Sequence, residues 1–179
     1  MAGAWPFAAR AQQPGKLRRI GELAFAEDNR EGQARAAAFR EGLQKLGWME
    51  GRNIQIDTRW AVPGDAESTE RFAKEIVTLQ PELILSYSTP TTQALLRATR
   101  TIPIVFANIS DPLGSGFVAS FARPGGNVTG FTNMEPTMAG KWVELLREIA
   151  PRVGRVAMLF HPGTARLSAV SPHETDRVG

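Results

Sequence analysis

The sequence predicts an α/β fold, a parallel sheet with helices packed on both faces. Three observations predict it. Short apolar runs that suit buried strands alternate with stretches whose apolar residues recur at helical spacing. The segments joining them are short and carry turn residues such as Gly, Pro and Asp. Apolar residues make up 42% and charged residues 22% of the chain, the balance of a soluble globular protein. Alternation of this kind is what strand–helix–strand crossover units produce.

The elements follow in order. Arg19 to Phe25 is an apolar run behind a basic stretch and suits a buried strand. After a polar turn at 27–32, Ala36, Phe39, Leu43 and Leu46 form the inner stripe of a helix, and Gly47 stands where a left-handed residue closes it. Asn53 to Trp60 alternates and reads as a second strand. Pro63-Gly64 breaks it, and Asp65 caps a helix whose inner stripe is Phe72, Ala73, Ile76 and Leu79. Leu83 to Tyr87 is a third strand, and a short helix runs from Pro90 to about Thr99 with Ala94, Leu95 and Ala98 inward. Ile102 to Ala107 is a fourth strand, Asp111 to Ser120 a further short helix, and Val128 to Thr132 a fifth strand. Trp142, Leu145, Leu146 and Ile149 mark an amphipathic helix closed by Pro151, and Arg155 to Phe160 reads as a sixth strand. Beyond it, residues 164–179 offer no apolar stripe, so the chain reads as stopping in mid-fold.

Composition narrows the function. The 179 residues suffice for the core of one ordinary domain. The net charge of +3 is mild, and the basic residues are scattered among acids instead of gathered on one face, which argues against a nucleic-acid partner. The absence of cysteine removes thiolate nucleophiles, disulfides and Cys-ligated zinc. No apolar run reaches the ~18 residues of a membrane span. His161 and His173, the only histidines, lie in the irregular tail, which leaves no His-based metal site or catalytic dyad. The glycine-rich Pro124 to Gly130 precedes a strand instead of opening a helix, so it lacks the geometry of a phosphate loop, and no cofactor is expected. Neither a phosphate loop nor an acid/base pair supports an enzyme. Residues 1–13 contain Ala9-Arg10-Ala11 before a polar, proline-bearing stretch, and read as the remnant of a secretory signal peptide without its charged beginning.

In open parallel sheets, ligands bind beyond the carboxyl ends of the strands. Three such ends carry polar groups. After the third strand, Thr89 suits a helix cap and Pro90 the first helical position. The N–H groups of Thr91 and Thr92 would then face the crevice with the helix dipole behind them, a seat for a carboxylate aided by the hydroxyls of Ser88 and Thr89. After the fourth strand, Asn108 and Ser110 offer polar groups, and Asp111 can cap a short helix or meet a ligand's ammonium group. The third end, Ala26-Glu27-Asp28-Asn29, reads first as a solvated turn. Capping residues are the default at such positions, so each segment alone reads first as a helix start. It is their shared crevice that favours a ligand.

A longer series of strings carries a resemblance. Arg19-Ile-Gly, Ala38-Phe-Arg-Glu-Gly-Leu, Glu50-Gly-Arg-Asn-Ile, Thr101-Ile-Pro-Ile-Val-Phe, Ser110-Asp-Pro-Leu-Gly-Ser-Gly-Phe-Val, Ala122-Arg-Pro-Gly-Gly-Asn-Val-Thr-Gly and Lys141-Trp-Val-Glu-Leu-Leu-Arg-Glu-Ile-Ala-Pro occur in this order. The series resembles the ABC-transporter substrate-binding proteins whose better-known members take up tryptophan or tyrosine. The resemblance implies a type I periplasmic-binding-protein lobe, flavodoxin-like in its winding, that closes with a second lobe on a small solute, an amino acid in the family's terms, and docks on a membrane permease. It implies ligand contacts from Ala26 and Glu27, from Ser88, Thr89, Pro90 and Thr91, and from Asn108, Ser110 and Asp111. It divides the chain into residues 14–150 as the first lobe, 151–163 as the opening strand of an incomplete second lobe, and 164–179 as a tail unlike the family. With one jaw missing, burial of the ligand would be roughly halved and binding weakened. The runner-up role on the same fold is the sensing domain of a regulator, which would need an attached signalling module; a small Rossmann-like enzyme comes third.

Overall fold

The computed structural model describes residues 17–25, 30–133 and 138–156. Five strands, β1 (Arg18–Phe25), β2 (Ile54–Ala61), β3 (Leu83–Ser86), β4 (Ile104–Ile109) and β5 (Val128–Thr132), form one sheet in the order β2-β1-β3-β4-β5. Every pairing is parallel. The helices are α1 (Arg30–Lys45), α2 (Ala66–Thr78), α3 (Thr89–Ala98) and α4 (Met138–Ile149). The first crossover steps one way and the later ones the other, so the strand order reverses between β1 and β3. A crevice opens at such a reversal, beyond the strands' carboxyl ends.

Strand pleating sends alternate side chains to opposite faces, and both faces are covered. Leu23, Ile84, Ile104, Phe106 and Val128 meet Ala73 and Ile76 of α2 and Ala94 and Leu95 of α3. On the other face Ile20, Ile54 and Ile56 pack under Phe39, Leu43 and Trp48. Beside them Ala24, Leu85 and Tyr87 lie against Phe39, Trp60, Val105 and Ala107. Each fully buried side chain of this size contributes about 1.5–3 kcal/mol. The expected parallel sheet with helices on both faces is therefore present.

The local signals account for most boundaries. Asp65 caps α2 as expected, its Oδ1 accepting the Ser68 N–H at 3.0 Å. Gly47, at φ +85°, turns the chain out of α1. That turn removes Leu46 from the inner stripe and leaves it 77% exposed. The N–H of Trp48 returns to the Leu43 carbonyl at 2.9 Å, and Trp48 packs against the core where Leu46 was expected. Asn53 is not the first residue of β2; its side chain closes the preceding turn, accepting from the Met49 N–H at 2.6 Å and donating to the Gly47 carbonyl at 2.9 Å.

Other expectations fail. Asp111 to Ser120 is not helical: the segment is a series of turns, with the Phe117 N–H on the Pro112 carbonyl at 2.9 Å and Gly116 at φ +71°. Gly114 and Gly116, so close together, weaken a helix of fewer than three turns. Helix α4 forms where expected, yet its stripe is not inward. Trp142 is 44%, Leu145 52% and Ile149 82% exposed while Leu146 is half-buried, and among the described residues α4 is not one of the helices packed closely on the sheet. Arg155 and Val156 are not in a strand; the rest of the expected sixth strand, the tail and the expected signal remnant at 1–13 lie outside the described residues.

Candidate ligand-binding site

The segment after β3 is built around a capping box, but its cap is one residue earlier than expected. Ser88 is extended (φ −152°, ψ 163°) and is the N-cap of α3, which makes Thr89 the first helical residue and Pro90 the second. The Ser88 Oγ accepts the Thr91 N–H at 3.4 Å, the Ser88 N–H donates to Thr91 Oγ1 at 3.1 Å, and the Ser88 carbonyl accepts the Thr92 N–H at 3.0 Å. The expected pair of free amides at Thr91 and Thr92 is thus already occupied by Ser88. Thr91 and Thr92 are also fully buried, their hydroxyls each 2.8 Å from that of Ser86 beneath the crevice. Pro90 has no N–H, so the helix start presents the Thr89 N–H together with the partly buried Ser88 and Thr89 side chains.

The segment after β4 is re-aimed by its backbone. Between Ala107 and Ile109 the β4–β5 register shifts, and Asn108 sits at φ +62°, a left-handed conformation that asparagine tolerates better than most residues. Bulges of this kind turn a side chain out of the pleat. The Asn133 Nδ2 donates to Asn108 Oδ1 at 2.5 Å, linking the ends of β4 and β5. Thr132 Oγ1 donates to the Ile109 carbonyl at 2.7 Å and to the Ser110 carbonyl at 3.4 Å. Asp111 caps a turn and not a helix, accepting the Gly114 N–H at 2.7 Å. Asn108, Ser110 and Asp111 are all partly buried. Ala26 and Glu27, on the segment after β1, lie outside the described residues. Among the described residues no cluster of His, Cys, Asp and Glu could hold a metal ion, and no helix is long and apolar enough to cross a membrane.

Sequence reasoning missed a buried polar network beside this crevice. Glu22, in the middle of β1, is wholly buried. Its Oε2 accepts from Thr58 Oγ1 at 2.6 Å and from Arg40 Nη2 at 3.1 Å, and its Oε1 accepts from the Tyr87 hydroxyl at 3.1 Å. Arg40 Nη2 also reaches Thr58 Oγ1 at 2.8 Å, and its Nε stands 3.3 Å from Glu50. A lone acid inside the apolar run Ile20 to Phe25 was the available signal, since a carboxylate there requires partners.

Burial raises the Tyr87 phenol above its ordinary value of 10.0, and the Glu22 charge and hydrogen bond raise it further. Tyr87 is the only tyrosine, so phenolate absorbance reports it alone. In the folded chain no phenolate should appear as pH passes about 10, where a free tyrosine ionises. A folded-state value above the unfolded one means that Tyr87 contributes stability below about pH 10, which is lost as pH rises further. Absorbance rising at about pH 10 with the fold intact would refute the buried contact.

The fold belongs to a known class. The family of ABC transporter substrate binding proteins matches residues 27–172, and the chain belongs to that family. A tyrosine-binding protein of Clostridioides difficile is 32% identical over 123 residues, which is 69% of this chain and 35% of that protein. A crystal structure of a conserved domain protein from Vibrio cholerae superposes with a TM-score of 0.75 at 33% identity, covering 89% of this chain and 52% of the other. A structure from Streptococcus pneumonia, described as an ABC domain in complex with L-Trp, gives 0.67 at 30% identity, covering 76% and 45%. The chain thus spans about half, or less, of the length of these relatives.

Proposed function

We propose that this chain supplies one lobe of a solute receptor for an ABC importer, and that its ligand is an amino acid, with an aromatic one favoured. The observation that carries this reading is the polar lining at the β1/β3 reversal of a family member. Thr89 at the start of α3 suits the ligand's carboxylate, and Asp111 with Asn108 beyond β4 suits its ammonium group. The relatives with printed ligands, tyrosine in one and L-Trp in another, support the aromatic choice. The family role supports delivery to a membrane permease and an extracytoplasmic setting, and Ala9-Arg10-Ala11, which suits a signal cleavage site, supports a periplasmic one. Binding and release need no catalytic residue.

Calorimetric titration with L-tryptophan and L-tyrosine tests the reading. Hydrogen bonds to charged ligand groups contribute about 1.5–3 kcal/mol each. Replacing Thr89 and Asp111 together by alanine should therefore weaken binding by at least about a hundredfold while the chain still melts cooperatively. A double variant that binds as the unmodified chain does would remove these residues from the site. An unmodified chain that binds neither amino acid would remove the ligand assignment.

A further inference from the structure

Tyr87 is the single residue between the end of β3 and the cap of α3. Its ring packs with Ala24 and Leu85 against Trp60 and Val105, and its hydroxyl reaches across to Glu22 of β1 at 3.1 Å. That bond spans the reversal of strand order, where the crevice opens. It is a hydrogen bond to a carboxylate, the stronger class. The other carboxylate oxygen is held by Arg40 of α1 and Thr58 of β2, so the anchor is itself fixed to two further elements. The next residue in the chain is Ser88, whose hydroxyl and carbonyl hold the Thr91 and Thr92 amides. Tyr87 is joined to Ser88 by one peptide bond, so a shift of the Tyr87 backbone is shared by Ser88 and Thr89.

We propose that Tyr87 is a positioning residue for the crevice: gripped by Glu22, it sets where Ser88 and Thr89 stand, so affinity for an amino acid depends on a hydroxyl that does not touch the ligand. This rests on the binding role proposed above. The ligand contacts come from α3's first residues; the precision of their placement comes from the buried network behind them.

Tyr87→Phe keeps the ring and its packing and removes only the anchor. Ile54→Val, in the apolar cluster beneath the last turns of α1, is the comparison that lowers stability away from the crevice. Both are compared with the unmodified chain by amide exchange read by mass spectrometry and by titration with L-tryptophan and L-tyrosine. In Tyr87→Phe the hydrogen-bonded amides of Ser88, Thr91 and Thr92 should exchange at least about tenfold faster relative to those of β1 and β2. The same variant should bind the amino acid about fivefold or more weakly. Ile54→Val should change neither, despite a lower melting temperature. Faster exchange spread evenly over the sheet, or faster local exchange with unchanged affinity, overturns the proposal. If the unmodified chain binds neither amino acid, the binding role itself falls. The exchange pattern then still decides whether Tyr87 holds the segment: a local rise upholds it and an even or absent rise overturns it.

Discussion

Arg40→Ala should lower the stability of this chain by about 3–5 kcal/mol, the cost of breaking a buried ion pair by removing one partner. A domain of this kind has about 5–15 kcal/mol in all, so the variant would stand near the edge of folding. The asymmetry of the pair sets the size of the effect. Glu22 has no exposed surface, whereas the Arg40 side chain retains 34% of its own and runs from the core to Glu50 at the rim. Taking away the cation leaves a buried carboxylate held by the Thr58 and Tyr87 hydroxyls alone. The loss should be read as a lower urea midpoint with an unchanged slope. Replacing the whole buried set by apolar residues of similar size, Glu22→Leu with Arg40→Met, Thr58→Val and Tyr87→Phe, should recover most of it, because the desolvation cost disappears with the charge and no hydroxyl is left without a partner. A loss below about 1 kcal/mol in Arg40→Ala would mean that the pair behaves as a surface salt bridge.

Much of the fold was legible because local chemistry and global winding agree. The apolar runs at Ile20, Ile84 and Ile104 are strands, Asp65 caps its helix, and Gly47 closes another. What sequence could not place depended on partners distant along the chain. Spacing put Leu46 on the inner stripe, yet the turn at Gly47 carries it off and brings Trp48 in. Periodicity found α4 but could not say whether a sheet lay beneath its stripe. At the site, the segments after β3 and β4 were legible as polar strand ends. Their detail was not, because a one-residue shift of the cap from Thr89 to Ser88 turns two supposedly open amides into occupied ones. Glu22 was visible as an oddity in an apolar run; its partners lie 18, 36 and 65 residues away.

Gly130→Ala should also cost at the upper end of, or beyond, the about 1–3 kcal/mol typical of overpacking, and it should resist rescue. Gly130 pairs with Phe106 across β4 and β5, and a Cβ there would fall 2.1 Å from the Phe106 carbonyl oxygen and 2.6 Å from its ring. The nearest obstacle is backbone, so the strands must part. Gly21 offers the contrast: its added Cβ would fall 2.4 Å from Ile76 Cγ2, a side-chain atom. In double variants, Ile76→Ala should offset part of the Gly21→Ala loss, with a coupling of about 0.5–3 kcal/mol. Phe106→Ala should not offset Gly130→Ala, because the carbonyl remains. Denaturant unfolding of the four single and two double variants measures both couplings, and full rescue at Gly130 would place the clash on the ring instead. The consequence reaches the crevice. β5 ends at Thr132, whose hydroxyl holds the Ile109 and Ser110 carbonyls, so a displaced β5 withdraws support from Asn108 to Asp111. Gly130→Ala should therefore weaken the amino-acid binding proposed above even at temperatures where the variant remains folded.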